Sequence, residues 1–389
     1  VCDADESVQE AASDAFDVLC RVMGPKAVSE IIHALMKDLV SSDENVQSIA
    51  LSGLRQLIAV RPQQVLPKLI PALVKKPITL TQARALASIS QSLSGDEIQE
   101  HISSILVVYT EQLCSLLESD AKTFVDAGKI DYKQEGMTSL DLLPATLLAL
   151  HSVVGTITLD NIYVIQEMTQ SLMDNNNPVM RRSMLIVLQL FFDNLATSED
   201  KEIAEDEEFL DDGFVSLLQA ALKAFNDPDS ETVKAAWYAC SAMMKIIQKD
   251  NLPNYINCVR EVISSQTEDD QGNRIVDLLP GFNIVPQGLD PLVNIFLQGL
   301  RYGKTVEIRE QAALGLGDFI ALTSGEALAP FVRNITGPLI LVVGDRFPWQ
   351  VKAAILNTLS LILEKGGANL KPFLPPLQTA FIKSLQDPT

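Results

Sequence analysis

The stretch Ala327–Leu385 restricts the fold more than any other part of this chain. Leu328, Phe331, Val332, Ile335, Leu339, Ile340 and Val343 recur at steps of three and four and stop at Gly344-Asp345. A second segment opens at Pro348 and puts Val351, Ala354, Ile355, Thr358, Leu359 and Ile362 on one face. A third carries Pro372, Phe373, Leu377, Ala380, Phe381 and Leu385 and ends at Asp387-Pro388. This spacing marks amphipathic α-helices, and a proline near a helix start suits its first turn. Two such helices joined by a tight acidic turn form a hairpin that cannot bury its apolar faces alone. The hairpin must stack on copies of itself, which predicts an all-α solenoid: a right-handed superhelix of antiparallel helix hairpins.

Internal repetition supports that reading. Asp5-Glu6-Ser7-Val8-Gln9-Glu10-Ala11-Ala12 is echoed 38 residues later by Asp43-Glu44-Asn45-Val46-Gln47-Ser48-Ile49-Ala50, an offset in the range of HEAT and armadillo units. In each copy an acidic or polar residue precedes the first turn, where it can accept orphan backbone N–H groups. Helical patterns follow at Val28–Val40, Val65–Val74 (with Pro67 and Pro71), Thr81–Leu93 and Glu97–Leu117. They continue at Leu140–Val154, Leu159–Met173, Val179–Leu195, Phe214–Phe225, Thr232–Ile247, Asn254–Ser265 and Val306–Leu322. The turns Asn175-Asn176-Asn177-Pro178 and Asn226-Asp227-Pro228-Asp229 repeat the capping chemistry. The expected organisation is HEAT repeats over 1–265, with loops near 118–137 and 198–212, a loop insertion at 266–288, and further repeats over 289–389. The run 198–212 reads as a solvated acidic connector or a docking site for a basic partner. Part of the apolar insertion should lie back on the solenoid.

Charge narrows the function. The 389 residues carry a net charge of −20, and the excess is uneven. From Arg301 to Thr389 there are nine Lys/Arg against seven Asp/Glu, a balance of +2 that leaves −22 for the first 300 residues. Phosphate backbones need basic surface, so direct nucleic-acid binding is not expected, and the basic end is the better contact for an acidic partner. No run of 18 residues lacks both charges and turn breakers, so no membrane helix is expected. The acidic start, Val1-Cys2-Asp3, lacks both an initiator Met and a signal-peptide pattern, and both ends fall inside repeat turns, as in a segment of a longer protein. The five cysteines, Cys2, Cys20, Cys114, Cys240 and Cys258, show no paired spacing and read as reduced, mostly buried thiols.

Motifs for chemistry do not add up to an enzyme. Tyr302-Gly303-Lys304-Thr305 resembles the end of a phosphate-binding loop, but Gln298 occupies the position that needs glycine. Gly315-Leu316-Gly317 lies inside a helical run, where small residues let helices approach. His33, His101 and His151 stand far apart in helical patterns without ligand partners, so no metal or cofactor is expected. What remains is the turn Gly344-Asp345-Arg346-Phe347-Pro348-Trp349-Gln350-Val351-Lys352. In one reading Asp345 caps the next helix, Pro348 starts it, Trp349 shields the hairpin end and Arg346 pairs with Asp345. In the other, an exposed Arg346 beside Phe347 and Trp349, with Lys352 nearby, forms an interface anchor of the composition enriched at binding hot spots. Both can hold together.

Several of these stretches resemble a known family. Ile335-Thr336-Gly337-Pro338-Leu339-Ile340, Gly344-Asp345-Arg346-Phe347 and Leu370-Lys371-Pro372-Phe373-Leu374-Pro375 are similar to the large ribosome-associated translational activators of the general amino-acid control pathway. Val65-Leu66-Pro67-Lys68-Leu69-Ile70-Pro71 and Leu279-Pro280-Gly281-Phe282 fit in the same order, and the match spans Val1–Ala87 and Pro280–Thr389. The resemblance implies a non-catalytic HEAT scaffold whose C-terminal repeats bind the RWD domain of the kinase acting on initiation factor two α, with Arg346 at the contact. It implies cytoplasmic, polysome-associated protein that meets the ribosome mainly through parts outside this segment. A nuclear transport receptor of the importin-β type is the alternative within the solenoid class, since its arrays are also acidic.

Overall fold

Polar caps set the helix starts. Asp43, Thr79, Asp131, Asp229, Thr305 and Ser324 each precede a helix and accept a first-turn backbone N–H through the side chain. Such caps satisfy donors that have no intrahelical partner. The computed structural model describes residues 6–39, 43–93, 95–119, 131–198, 202–286, 288–344 and 347–386. They form two compact units, Val1–Asn194 and Leu195–Thr389.

The first unit holds α1 (Glu6–Val22), α2 (Pro25–Leu39), α3 (Glu44–Val60), α4 (Pro62–Leu73) and α5 (Leu80–Ser90). It continues with α6 (Gly95–Ser119), α7 (Tyr132–Thr138), α8 (Leu142–Val154), α9 (Tyr163–Met173) and α10 (Pro178–Thr197), whose last turn crosses the boundary. Chain neighbours pack as hairpins, such as α2 on α3 and α7 on α8, and hairpins pack on the next, such as α3 on α5 and α4 on α6. Leu54, Leu57, Leu86, Ile102 and Leu150 are fully buried along this seam. Pro67 and Pro71 sit inside α4 yet leave its buried face of Val65, Leu66, Leu69, Ile70 and Leu73 intact. The expected loop near 118–137 contains α7. Asp131 caps it, and the Tyr132 ring packs on His151 of α8 with centroids 5.3 Å apart.

The second unit begins with α11 (Glu202–Glu205), α12 (Phe214–Lys223), α13 (Ser230–Ile246), α14 (Ile256–Thr267) and α15 (Asp290–Tyr302). Then come α16 (Val306–Ala321), α17 (Gly325–Leu328), α18 (Val332–Val343), α19 (Trp349–Lys365) and α20 (Leu374–Leu385). The acidic run is more than a solvated connector, because Ile203 and Phe209 are buried and the Phe209 amide donates to Asp206 at 2.7 Å. The insertion does lie back in part. Leu279 and Phe282 are fully buried, and Asn283 donates to the carbonyl of Leu322 at 3.0 Å. Ile275, Leu278 and Val285 of the same loop stay exposed.

Close approach is tight at α15 and α16. A Cβ on Gly315 would stand 2.1 Å from the Phe296 ring, so only glycine admits the stack of Phe296 on Phe319. The Thr358 hydroxyl of α19 donates to Ala313 at 2.8 Å. Lys365, at the end of α19, donates its ammonium protons to the carbonyls of Ile320, Ala321 and Thr323. Trp237 is nearly buried and its indole N–H donates to Gly288 at 3.2 Å. Among the described residues there is no strand, and the only pairing of that kind is the isolated bridge of Glu268 with Arg274.

Candidate interaction site

The turn between α18 and α19 carries the sequence-predicted residues. Gly344 closes α18, and Pro348 takes the N-cap position of α19 without a side-chain cap bond. Asp345 and Arg346 themselves lie outside the described residues. One of the two sequence readings has Trp349 shield the hairpin end; it is 60% exposed, which leaves a large aromatic face to water. Phe347 is half-buried.

A residue that sequence reasoning missed holds Phe347. The Arg309 guanidinium lies 4.6 Å from the Phe347 ring centroid, a cation–π distance. Arg309 also donates to the carbonyls of Leu300 and Arg301, at 2.6 and 2.9 Å, in the last turn of α15. One planar fork thus joins the α15–α16 turn to the α18–α19 turn. The repeat register was the available signal: Val233-Lys234, Ile308-Arg309 and Val351-Lys352 each place a cation after an aliphatic residue in the first turn of a helix, buried at Val233 and Val351 and half-buried at Ile308.

Lys352, half-buried, lines an open groove of about 440 Å³ with Ile340, Val343 and Gly344 on one side. Pro376, Thr379, Ala380, Lys383 and Ser384 of α20 form the other side. The structure therefore places Phe347, Trp349 and Lys352 on one turn and adds Arg309 and the exposed Lys383. The arrangement offers cations and aromatic faces, which suit an acidic protein surface.

Elsewhere the chemistry stays structural. Gly303 ends α15 and Thr305 caps α16, so the apparent phosphate loop is a hairpin turn. His33, His101 and His151 lie on α2, α6 and α8. Among the described residues, no group of three His, Cys, Asp or Glu is placed to hold a metal ion. Cys114 and Cys240 are buried and Cys258 is half-buried, all as free thiols, and burial pushes the Cys114 thiol up to about 11. Cys2 and the side chain of Cys20 lie outside the described residues. No single described helix is long and apolar enough to cross a membrane.

Stacked antiparallel helix hairpins without a strand among the described residues define a helical-repeat protein of the HEAT class. The sequence profile of the stalled ribosome sensor GCN1-like HEAT repeats matches residues 65–287. The chain belongs to that family. The profile covers the middle that the motif resemblance had left open. Protein ILITYHIA of Arabidopsis thaliana is 35% identical over 89% of this chain and 12% of that protein. The eIF-2-alpha kinase activator GCN1 of Dictyostelium discoideum is 35% identical over 100% of this chain and 13% of its own length. The stalled ribosome sensor GCN1 of Mus musculus is 33% identical over 100% and 13%. The chain thus spans about one eighth of the curated relatives it matches. Among solved structures, a Kap121p mutant aligns with 99% of this chain and 35% of its own at 14% identity and a TM-score of 0.45, a likeness that carries no functional argument.

Proposed function

We propose that this segment is a non-catalytic scaffold that docks an acidic protein module, the RWD domain of the kinase acting on initiation factor two α, through the α18–α19 turn. In this reading Arg346, Phe347, Trp349 and Lys352 contact the module, Asp345 orients the turn, and binding helps activate the kinase on stalled ribosomes or under amino-acid starvation. The ribosome is met mainly through repeats outside this segment, and the protein is cytoplasmic and polysome-associated. The observation that carries the reading is the exposure of Trp349 beside Lys352 in a C-terminal stretch, Arg301–Thr389, whose charge is +2 within a chain of −20. Exposed Trp and Arg are the side chains enriched at hot spots, and an Arg fork pairs with a carboxylate in a geometry that Lys does not reproduce. The names of the relatives, kinase activator and stalled ribosome sensor, favour the same partner class.

The test is calorimetric binding of the purified RWD domain to the parent chain and to variants. Arg346→Ala should lose about 2–4 kcal/mol of binding, roughly thirty- to a thousand-fold, while keeping its helical signal and melting temperature. Arg346→Lys should recover part of the loss. Equal affinities in a folded Arg346→Ala chain would remove Arg346 from the site, and an Arg346→Ala chain that unfolds would assign it to the turn's own structure.

A further inference from the structure

A second candidate site lies in the first unit and shares no residue with the proposed contact. A cavity of about 270 Å³ is lined by Arg55 of α3, Ser88 and Gln91 at the end of α5, Lys133 and Met137 of α7, and Leu148 and His151 of α8. Its lining holds two permanent cations and a histidine but no carboxylate. Each basic group also has a nitrogen to spare. Arg55 spends Nε and Nη2 on Ser88 and leaves Nη1 without a partner among the described residues. Lys133 is exposed and has neither a hydrogen bond nor an ion pair among them. The Nε2 atom of His151 is buried and unpartnered.

Buried polar atoms are nearly always hydrogen-bonded, so the unpartnered Nε2 of His151, in a pocket also lined by the exposed cations Arg55 and Lys133, calls for an anionic occupant with several acceptors. A phosphate group has three strong acceptor oxygens and the matching charge. The volume equals roughly nine waters at about 30 Å³ each, room for a phosphate with a short attached chain. The geometry points to a phosphate-binding site formed by Arg55, Lys133 and His151, filled by free phosphate or by a phosphorylated side chain. Burial and the Lys133 charge pull the His151 pKa down to about 4, opposed by Asp193 of α10. The other charged group near the Tyr132–His151 pair is Asp131, which caps α7. An anion seated among the three would offset the Lys133 charge and raise the His151 pKa.

The experiment follows the His151 ring resonances by NMR in the full chain, assigned by their loss in His151→Gln, with inorganic phosphate and separately with a phosphoserine peptide. Chloride at matched ionic strength is the control. Both phosphate probes should raise the His151 pKa relative to chloride. Lys133→Glu should weaken binding at least about tenfold, or 1.4 kcal/mol. Lys133→Gln serves as a second, milder variant, and circular dichroism establishes that each is folded. Tighter binding of the peptide would assign the site to a phosphorylated partner, and equal binding to the phosphate group itself. A His151 pKa that is the same in phosphate, phosphopeptide and chloride, or folded Lys133 variants with parental affinity, would overturn the assignment.

Discussion

Replacing Arg309 by alanine tests what fixes the binding turn while every side chain proposed to contact the partner stays in the sequence. The change removes two charge-assisted hydrogen bonds, at 2.6 and 2.9 Å, to the carbonyls that end α15. It also removes the cation from the Phe347 face at 4.6 Å. A hydrogen bond to a charged group contributes about 1.5–3 kcal/mol, but freed carbonyls at a helix end regain water, which reduces the loss. A half-exposed cation–π pair adds about 0.5–1 kcal/mol. The expected total is about 2–3 kcal/mol in the second unit. Both tryptophans lie in that unit and Trp237 is nearly buried, so indole fluorescence in a urea titration reads its unfolding separately. A double-mutant cycle with Phe347→Leu then extracts the ring term as a coupling of about 0.5–1 kcal/mol. Arg309→Lys keeps the charge but not the fork, and should retain only part of the stability. If the Arg309→Ala and Phe347→Leu losses simply add, the guanidinium does not hold the ring, and the turn must be fixed by α19 alone.

Three further outcomes test the fold. Leu359 is fully buried, so Leu359→Ala should lower the stability of the second unit by about 2–5 kcal/mol, and an unchanged urea midpoint would show that the α19 face is misassigned. Gly315→Ala would push a methyl group into the Phe296 ring and should cost about 1–3 kcal/mol, read by the same fluorescence titration. His151 is pulled from 6.5 to about 4 by burial first and the Lys133 charge second. The unfolded chain then binds a proton that the folded chain refuses, so this stability is present above pH 6.5 and lost as pH falls toward 4. The loss should be about 1–3 kcal/mol, and His151→Gln should flatten that pH dependence in urea unfolding followed by circular dichroism.

The helices were legible because their signals are local. Val46, Leu54 and Leu57 recur on one face, Asp43 caps the start, and α3 follows from those residues alone. α7 was not legible: seven residues with a glycine and two charges show no period, and the helix exists because Asp131 caps it and α8 covers it. The insertion was half legible for a related reason. Its hydropathy could show that some of it is buried, but the choice of Leu279 and Phe282 over Ile275 and Leu278 depends on the Leu322 carbonyl, which accepts from the Leu279 amide at 3.0 Å. At the candidate site, composition picked out Phe347, Trp349 and Lys352. Arg309 escaped because it lies 38 positions before Phe347, and only the stacking of α16 on α19 brings them together.

That stacking bears on how an array of repeats can carry a binding surface at all. In a solenoid each hairpin is stabilised by its neighbours, so a turn at the rim can change its outward side chains at little cost to the core. Such a turn would be floppy and lose affinity through ordering on binding unless something behind it were rigid. Here α19 is held in its middle by Thr358 on Ala313 of α16 and at its close by Lys365 on the carbonyls of Ile320, Ala321 and Thr323, with Arg309 gripping Phe347 just before its start. The side chains that hold the turn therefore differ from those exposed beside it, Trp349 and Lys383. The two sets should separate in experiment. Trp349→Ala should weaken partner binding and leave the urea midpoint of the second unit within about 0.5 kcal/mol of the parent, as expected of an exposed residue. Arg309→Ala should change both. A Trp349→Ala chain that loses stability as Arg309→Ala does would place the indole in the support of the turn and remove it from the contact surface.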